Sequence, residues 1–274
     1  MSSVAVIMPT YNHGPYIAVA IESFLAQKTS FPCRLYISDD CSTDNTADVA
    51  ERYALDNPDK VKLIRKTKNE GLLRNYKTLL DTLQEDYVAV LESDDYWTDE
   101  LKLQKQFDYM QLSADCGLCF TGCNLLINGE LQRAKDVSDI VNERGGHLYS
   151  YLLLRALVWS PTIFFRRSSY LKYCNIDDYI ERGFRTFDAP LILSIAANCS
   201  LGYISDVTAV YRISSSSISN NASLKKRISF ERGSDMVRSY VISLYGRGGL
   251  SRCRIFLRRA VIYLRIVLRY LQKK

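Results

Sequence analysis

Apolar runs of strand length recur at residues 4–8, 34–38, 61–65 and 87–91, and helix-length amphipathic stretches lie between them at 16–27, 46–55 and 72–83. Strand and helix alternating in this way predict βαβ units and a parallel sheet. Thr43 or Asp44 stands where a side-chain oxygen would cap the second helix by accepting from its free amide groups. In such sheets ligands bind outside the carboxyl ends of the strands, so the residues just after each strand carry the interest.

Beyond residue 91 the pattern changes. It predicts a helix over 99–111, strands at 118–121 and 124–127, and a loop holding Gly145 and Gly146. A short helix at 148–154, a strand at 160–165, a helix at 187–197 and one or two strands within 201–213 follow. A polar, Ser/Asn-rich linker spans 214–223, and two basic helical stretches, 224–244 and 250–274, are separated by the glycine-rich residues 246–249. No internal repeat is found.

Composition narrows the class. With 274 residues, 47% hydrophobic and 24% charged, the chain matches a soluble globular protein and excludes disordered, collagen-like and coiled-coil readings. The net charge of +6 averages two unlike parts: from Leu224 onward 14 Lys and Arg face two acids, leaving 22 basic and 28 acidic residues before it. An acidic body with a basic tail suggests that the tail meets something anionic. The first apolar run is too short and wrongly flanked for a signal peptide, and no window of about 20 residues is free of charge. Eight scattered Cys then read as reduced core residues, and a cytoplasmic chain is expected.

Four polar clusters follow the four strands: Pro9-Thr10-Tyr11-Asn12, Asp39-Asp40 with the turn up to Asp44, Asn69-Glu70-Gly71 with Arg74-Asn75, and Glu92-Ser93-Asp94-Asp95-Tyr96-Trp97. Each alone is also ordinary turn chemistry. Their place at successive strand ends favours one shared ligand site. Glu92, Asp94 and Asp95 would repel one another if unpaired, and such hard oxygen ligands suit Mg²⁺ or Mn²⁺ bridging to phosphates. Asp39 and Asp40 can accept from ribose hydroxyls or a base N–H, and Tyr11 offers a ring face for stacking. No Walker-type or dinucleotide glycine motif occurs.

The ordered motifs Val-Ile-Met-Pro-Thr-Tyr-Asn, Ile-Ser-Asp-Asp-Cys-Ser-Thr-Asp-Asn-Thr, Asn-Glu-Gly and Leu-Glu-Ser-Asp-Asp-Tyr-Trp resemble those of the family 2 glycosyltransferases. The resemblance is clear over roughly residues 3–125 and weaker to about residue 215. It implies an α/β, glycosyltransferase A-type fold, Rossmann-like and mostly parallel. The catalytic domain would occupy 1–215, split into a nucleotide-sugar half (1–98) and an acceptor half (99–215), followed by a basic helical tail over 216–274. It also implies inverting transfer from a nucleoside-diphosphate sugar, with UDP the commonest nucleotide, to a saccharide or lipid-linked saccharide acceptor in surface-polysaccharide synthesis, with Mn²⁺ or Mg²⁺ as cofactor.

By the same resemblance Pro9, Thr10, Tyr11 and Asn12 hold the base, and Asp39 or Asp40 contacts the nucleoside. Glu92-Ser93-Asp94 stands at the D-x-D position, with Asp94 as direct metal ligand and Glu92 in place of the first Asp. Asp95 and Trp97 would line the donor sugar or orient the loop. Arg74 either approaches the donor or forms a surface salt bridge. Asp188, in Arg-Thr-Phe-Asp-Ala-Pro-Leu, matches the catalytic base, and is also placed to cap a helix. In Tyr211-Arg212-Ile213-Ser214 a Ser replaces the family's His.

Other features read as structural. Cys116, Cys119 and Cys123 sit on a predicted strand with no fourth ligand nearby in sequence, and read as buried thiols. His13, His147 and Trp159 read as loop or packing residues that border the site. In 254–269, Arg254, Arg258, Arg265 and Arg269 share one side of a helix whose other positions are largely apolar, as in helices lying in an anionic membrane interface. The alternative is packing on the body or on a second subunit. Nucleic acid is not an expected partner, since no recognition motif accompanies the charge. Two rival functions are a sugar nucleotidyltransferase and a non-catalytic, membrane-associated nucleotide-sugar-binding protein.

Overall fold

A computed structural model describes residues 2–213 and 224–246. Its first half holds β1 (Val4–Thr10), α1 (Gly14–Leu25), β2 (Cys33–Asp39), α2 (Thr46–Asp56), β3 (Val61–Arg65), α3 (Leu72–Thr82) and β4 (Tyr87–Val90). β1 pairs in parallel with β2 on one side and β4 on the other, and β2 pairs in parallel with β3. The chain thus runs outward from β1 to β3 and then returns to β1's opposite flank. That reversal opens a crevice at the strand carboxyl ends, where α/β sheets bind ligands.

The sheet continues as β3-β2-β1-β4-β8-β6-β9-β5. Its second half contains β5 (Tyr96–Trp97), α4 (Lys102–Leu112), β6 (Cys116–Ile127), β7 (Glu130–Arg133), α5 (Ser138–Glu143) and α6 (Tyr149–Leu152). A 3₁₀ turn (Ser160–Thr162), β8 (Phe164–Arg166), α7 (Arg167–Tyr173), α8 (Ile176–Glu181), α9 (Asp188–Ala196), β9 (Ser200–Ile213) and α10 (Leu224–Tyr245) complete it. Here β8 runs antiparallel to β4 and β6, while β6 and β9 are parallel. The half formed by β1 to β4 is therefore purely parallel, and the whole sheet is mixed.

Helices cover both faces. Ala5 and Ile7 of β1 pack with Tyr76 and Leu79 of α3 and Leu191 and Ile195 of α9. Val4, Val6 and Met8 point to the other face, with Ile17, Ile21 and Phe24 of α1 and Leu103 of α4. Burial on both sides explains why β1 is a continuous apolar run rather than an alternating one.

Several boundaries differ from the sequence pattern. The two strands expected within 118–127 are one, β6, whose register against β9 shifts on either side of Gly122. A Cβ at Gly122 would lie 2.9 Å from the Ser205 carbonyl oxygen, so the glycine marks a bulge with close backbone approach, not a strand end. The strand expected at 160–165 begins as a 3₁₀ turn around Pro161. Asn128 and Gly129, both at positive φ, turn β6 into the hairpin strand β7, which the pattern analysis did not anticipate. α5, α7 and α8 span six or seven residues each, too short to show a helical period.

Asp44 serves both helices it borders: its carboxylate accepts from Thr46 N (2.9 Å) at the start of α2 and from Gly14 N (3.0 Å) at the start of α1. The basic stretch at 224–244 forms α10, which packs on α9. Tyr240 Oη donates to Asp178 (2.9 Å) and Tyr245 Oη to the Tyr173 carbonyl (2.6 Å). The expected linker at 214–223, Ser214 included, and the second basic stretch at 250–274 lie outside the described residues. Among the described residues no helix is long and apolar enough to cross a membrane.

Candidate active site

At the β1–β4 crevice the strand ends enclose a cleft of ≈ 550 Å³. Pro9, Thr10, Tyr11 and Asn12 from β1, Asp40 from β2, Asn69, Gly71 and Asn75 around the start of α3, Glu92 and Asp94 after β4, and Tyr211 from β9 line it. Tyr11, Asp40 and Asp94 thus share one space. Asp39, Ser93 and Asp95 lie outside its walls, as do Trp97, buried with Nε1 on the Pro161 carbonyl at 2.9 Å, and the exposed Arg74.

The β1 end is held by side-chain bonds to its neighbours. Ser93 Oγ donates to Thr10 Oγ1 at 2.8 Å and lies 2.7 Å from His13 Nδ1, which ties β1, the β4 loop and the start of α1 together. Asn12, at φ +55°, accepts from Thr43 N at 2.8 Å and donates its own amide to Ser42 Oγ at 2.9 Å. Tyr11, between these anchors, is 42% exposed, so its ring remains open to a planar ligand.

The adjacent acids after β2 do different things. Asp39 closes its own turn by accepting from the amide (3.0 Å) and hydroxyl of Ser42. Asp40 accepts from Glu70 N at 3.0 Å and Gly71 N at 2.8 Å, with the buried Lys66 ammonium 3.5 Å away. It bends the loop before α3 into the cleft wall. Gly71, at φ +87°, supplies the left-handed residue that this bend needs. Asn75 donates Nδ2 to the Ser38 carbonyl at 2.8 Å, and its buried Oδ1 has no partner.

After β4 the oxygens of Glu92, Asp94 and Asp95 lie within 4.8 Å of one another. Burial, then the charges of Asp94 and Asp188, push the Glu92 carboxyl up to about 8. Asp95 is also driven well up, by burial and then by Asp94 and Glu92, and its buried Oδ2 has no partner among the described residues. Three crowded hard oxygens under mutual repulsion form a donor set that a divalent cation would relieve. The residues therefore fit Mn²⁺ or Mg²⁺, with Asp94 on the cleft wall and, among the described residues, no side-chain bond competing for its carboxylate.

Two residues to which the sequence assigned no role hold this acidic loop. Tyr76 Oη, fully buried in α3, donates to Glu92 Oε1 at 2.8 Å. Arg212 donates its amide to Asp95 Oδ1 (2.7 Å) and Nε to the Asp94 carbonyl (2.8 Å), its guanidinium resting 4.6 Å from the Tyr16 ring centroid. The Tyr-Arg dipeptide at 211–212 was the one available signal for the latter.

Asp188 is the first residue of α9, and its charge reaches both Glu92 and Tyr76. Oδ1 accepts from Ala189 N at 2.8 Å, whereas among the described residues Oδ2 has only a long contact, 3.4 Å, from Ser160 Oγ. Phe187, just before it, stacks on Tyr76 with centroids 4.3 Å apart. Burial pushes the Cys116 thiol up to about 11 and the Cys123 thiol to about 12, so β6 presents neutral thiols, and among the described residues these cysteines form no group with metal-ligand geometry.

A parallel crossover half with its acids after β4, joined to a mixed half that carries a further acid at a helix start, defines an enzyme of the glycosyltransferase A type. The chain belongs to glycosyl transferase family 2, whose model matches residues 5–172. The putative teichuronic acid biosynthesis glycosyltransferase TuaG of Bacillus subtilis is 36% identical over 124 residues, 45% of this chain and 47% of TuaG. The chain spans about a third to a half of the length of the curated relatives it matches. S. aureus TarS 1–349 in complex with UDP-GlcNAc shares the fold at TM-score 0.62 and 19% identity, covering 86% of this chain and 66% of that one. The mannosyltransferase PcManGT from Pyrobaculum calidifontis, in complex with GDP-Man and Mn²⁺, does so at TM-score 0.59 and 16% identity, covering 95% and 80%.

Proposed function

We propose that the protein transfers a sugar, with inversion, from a nucleoside-diphosphate sugar to a hydroxyl of a saccharide or lipid-linked saccharide acceptor in surface-polysaccharide synthesis. The observation that carries this reading is the link through Tyr76, which bonds Glu92 at the end of the parallel half and stacks on Phe187, the residue before Asp188 at the start of α9. UDP is the favoured nucleotide, in keeping with the complex of TarS with UDP-GlcNAc, and TuaG is a putative teichuronic acid biosynthesis glycosyltransferase.

In this reading Tyr11 stacks on the base, while Asp40 and Asn12 shape the two loops around the nucleoside. Asp94 and Glu92 would hold Mn²⁺ or Mg²⁺, which supplies positive charge against the departing diphosphate. Tyr76 keeps the Glu92 carboxyl in place, and Arg212 holds the Asp94 backbone and the Asp95 carboxyl beside it. Asp188 takes the proton of the acceptor hydroxyl on Oδ2, the oxygen with the weaker internal bond, as the acceptor oxygen attacks the anomeric carbon from the opposite face. One displacement inverts the linkage.

The basic, apolar residues 247–274 support a peripheral contact with an anionic membrane on its cytoplasmic face. The test of the activity is a panel of UDP-, GDP- and dTDP-sugars with Mn²⁺, read by melting temperature and by nucleoside-diphosphate release. A donor that raises the melting temperature and yields nucleoside diphosphate with an acceptor supports transfer. Pyrophosphate release would indicate a nucleotidyltransferase, and donor binding without any product a sensor.

A further inference from the structure

The chain has two tryptophans, and they are placed differently. Trp97 is buried, and its Nε1 donates to the Pro161 carbonyl at 2.9 Å. Trp159 is only half-buried; among the described residues its Nε1 makes no hydrogen bond, and the atom is not enclosed. A buried indole N–H ordinarily finds a partner, so an open one leaves a ring with a polar tip ready for a ligand.

Its neighbours give this ring a place. Leu157 and Val158, just before it, line a cavity of ≈ 260 Å³ between α9 and α10, and Asp188 lies on the same wall. Ser160, just after it, reaches Asp188 Oδ2 at 3.4 Å. The Trp159 ring itself lies against Tyr211, with centroids 5.2 Å and planes 39° apart, and Tyr211 lines the cleft that holds Tyr11 and Asp94. Trp159 thus connects Asp188 to that cleft. The turn that carries it is held as well: Thr162 N (2.9 Å) and Oγ1 (2.6 Å) donate to the Trp159 carbonyl, and Gln106 Nε2 donates to the Thr162 carbonyl at 2.9 Å. A segment fixed in this way needs no ordering when a ligand arrives.

In transfer, the acceptor hydroxyl has to meet Asp188 and the anomeric carbon of the bound nucleotide sugar together, so the acceptor ring lies against the residue that joins them. A pyranose carries C–H groups on its faces and hydroxyls on its rim. An aromatic face takes the first, and an indole N–H takes one of the second. We infer that Trp159 is an acceptor-binding residue: its ring stacks on the pyranose that bears the reacting hydroxyl, and its Nε1 donates to another hydroxyl of that sugar. This inference rests on the glycosyl-transfer reading above, and adds to it the residue that orients the acceptor.

The test uses the full chain with Mn²⁺ and whichever of UDP, GDP and dTDP stabilises it, and saturation-transfer NMR. The probes are the methyl pyranosides of glucose, galactose and mannose, with open-chain glucitol as the control that keeps the hydroxyls and lacks the ring face. At least one pyranoside is expected to receive saturation at its ring C–H protons, and glucitol none. Trp159→Leu should weaken that pyranoside about tenfold, the scale of one lost aromatic contact, and leave nucleotide affinity at the wild-type level. Trp159→Phe keeps a ring and loses Nε1; it should bind the pyranoside more weakly than the wild type with the same C–H protons saturated, which keeps the test open if the leucine variant misfolds. Wild-type pyranoside affinity in either variant would overturn the inference, as would glucitol binding equal to that of the pyranosides. A chain that binds a nucleotide sugar but no pyranoside fails this inference alone. One that binds no nucleotide sugar fails the glycosyl-transfer reading.

Discussion

Tyr76 gives its phenolic hydrogen to Glu92 Oε1 at 2.8 Å, so a residue in the middle of α3 holds a carboxylate that follows β4. Its ring meanwhile stacks on Phe187, one residue before Asp188. Tyr76→Phe keeps the stack and leaves the carboxyl without its donor, at a cost of about 1–3 kcal/mol. Turnover should fall by about tenfold or more with donor KM little changed, because the ring still supports the fold. Steady-state kinetics with a melting curve checks this, and a variant that loses stability but keeps wild-type kcat would reduce Tyr76 to packing.

Asp188→Asn removes the proton acceptor and keeps an oxygen for Ala189 N. General-base loss of this kind costs roughly 10²–10⁴ in rate. Nucleotide-sugar affinity, measured by calorimetry, should stay close to wild type. Full activity in the Asn variant would remove Asp188 from the chemistry.

Asp40→Ala deprives Glu70 N and Gly71 N of their acceptor and leaves the buried Lys66 ammonium with Glu70 alone, 3.2 Å away. Breaking a buried pair costs about 3–5 kcal/mol. For a domain of this size the melting temperature should drop by about 10 °C. Donor affinity should fall with it, since the loop at 69–71 is a cleft wall. An unchanged melting temperature would show that Asp40 does not hold that loop.

Lys102 is buried under the Trp97 ring, 4.5 Å from its centroid, and hydrogen-bonds Gln106 Oε1; Asp99 and the Cys119 and Cys123 thiols are its other titratable neighbours. Burial pulls its ammonium down to about 7 from 10.5. The unfolded chain therefore binds the extra proton between those values, and stability contributed at this site rises with pH across that window and is lowest below it. Lys102→Met should raise stability at pH 7 and flatten the rise between pH 7 and 10, as read by urea unfolding at several pH values. A mutant slope equal to wild type would contradict this.

The parallel half was legible because strands buried on both faces must be written as continuous apolar runs, and its loops follow from topology. What stayed hidden is instructive residue by residue. Asp39 and Asp40 look equivalent in sequence, yet neighbours at a strand end face opposite ways, so one closes its own turn and the other reaches the α3 loop. Tyr76 shares the apolar face of α3 with Leu73, Leu79 and Leu80, so its spacing reads as core. Arg212 meets Asp95 across 117 residues, a pairing that only the β5–β9 ladder creates. Gly122 breaks the hydrophobic pattern without breaking the strand.

The bonds from Tyr240 and Tyr245 clamp α10 to α8 and α7. One rigid rod thus forms a wall of the cavity beside Asp188 and, at Gly246, is the launching point of the cationic C-terminal segment. If that segment makes the proposed membrane contact, recruitment to a surface would be mechanically joined to the chemistry at Asp188 through α10. Shortening the chain at residue 246 is then expected to sever address from chemistry, and cutting at 223 to dismantle both.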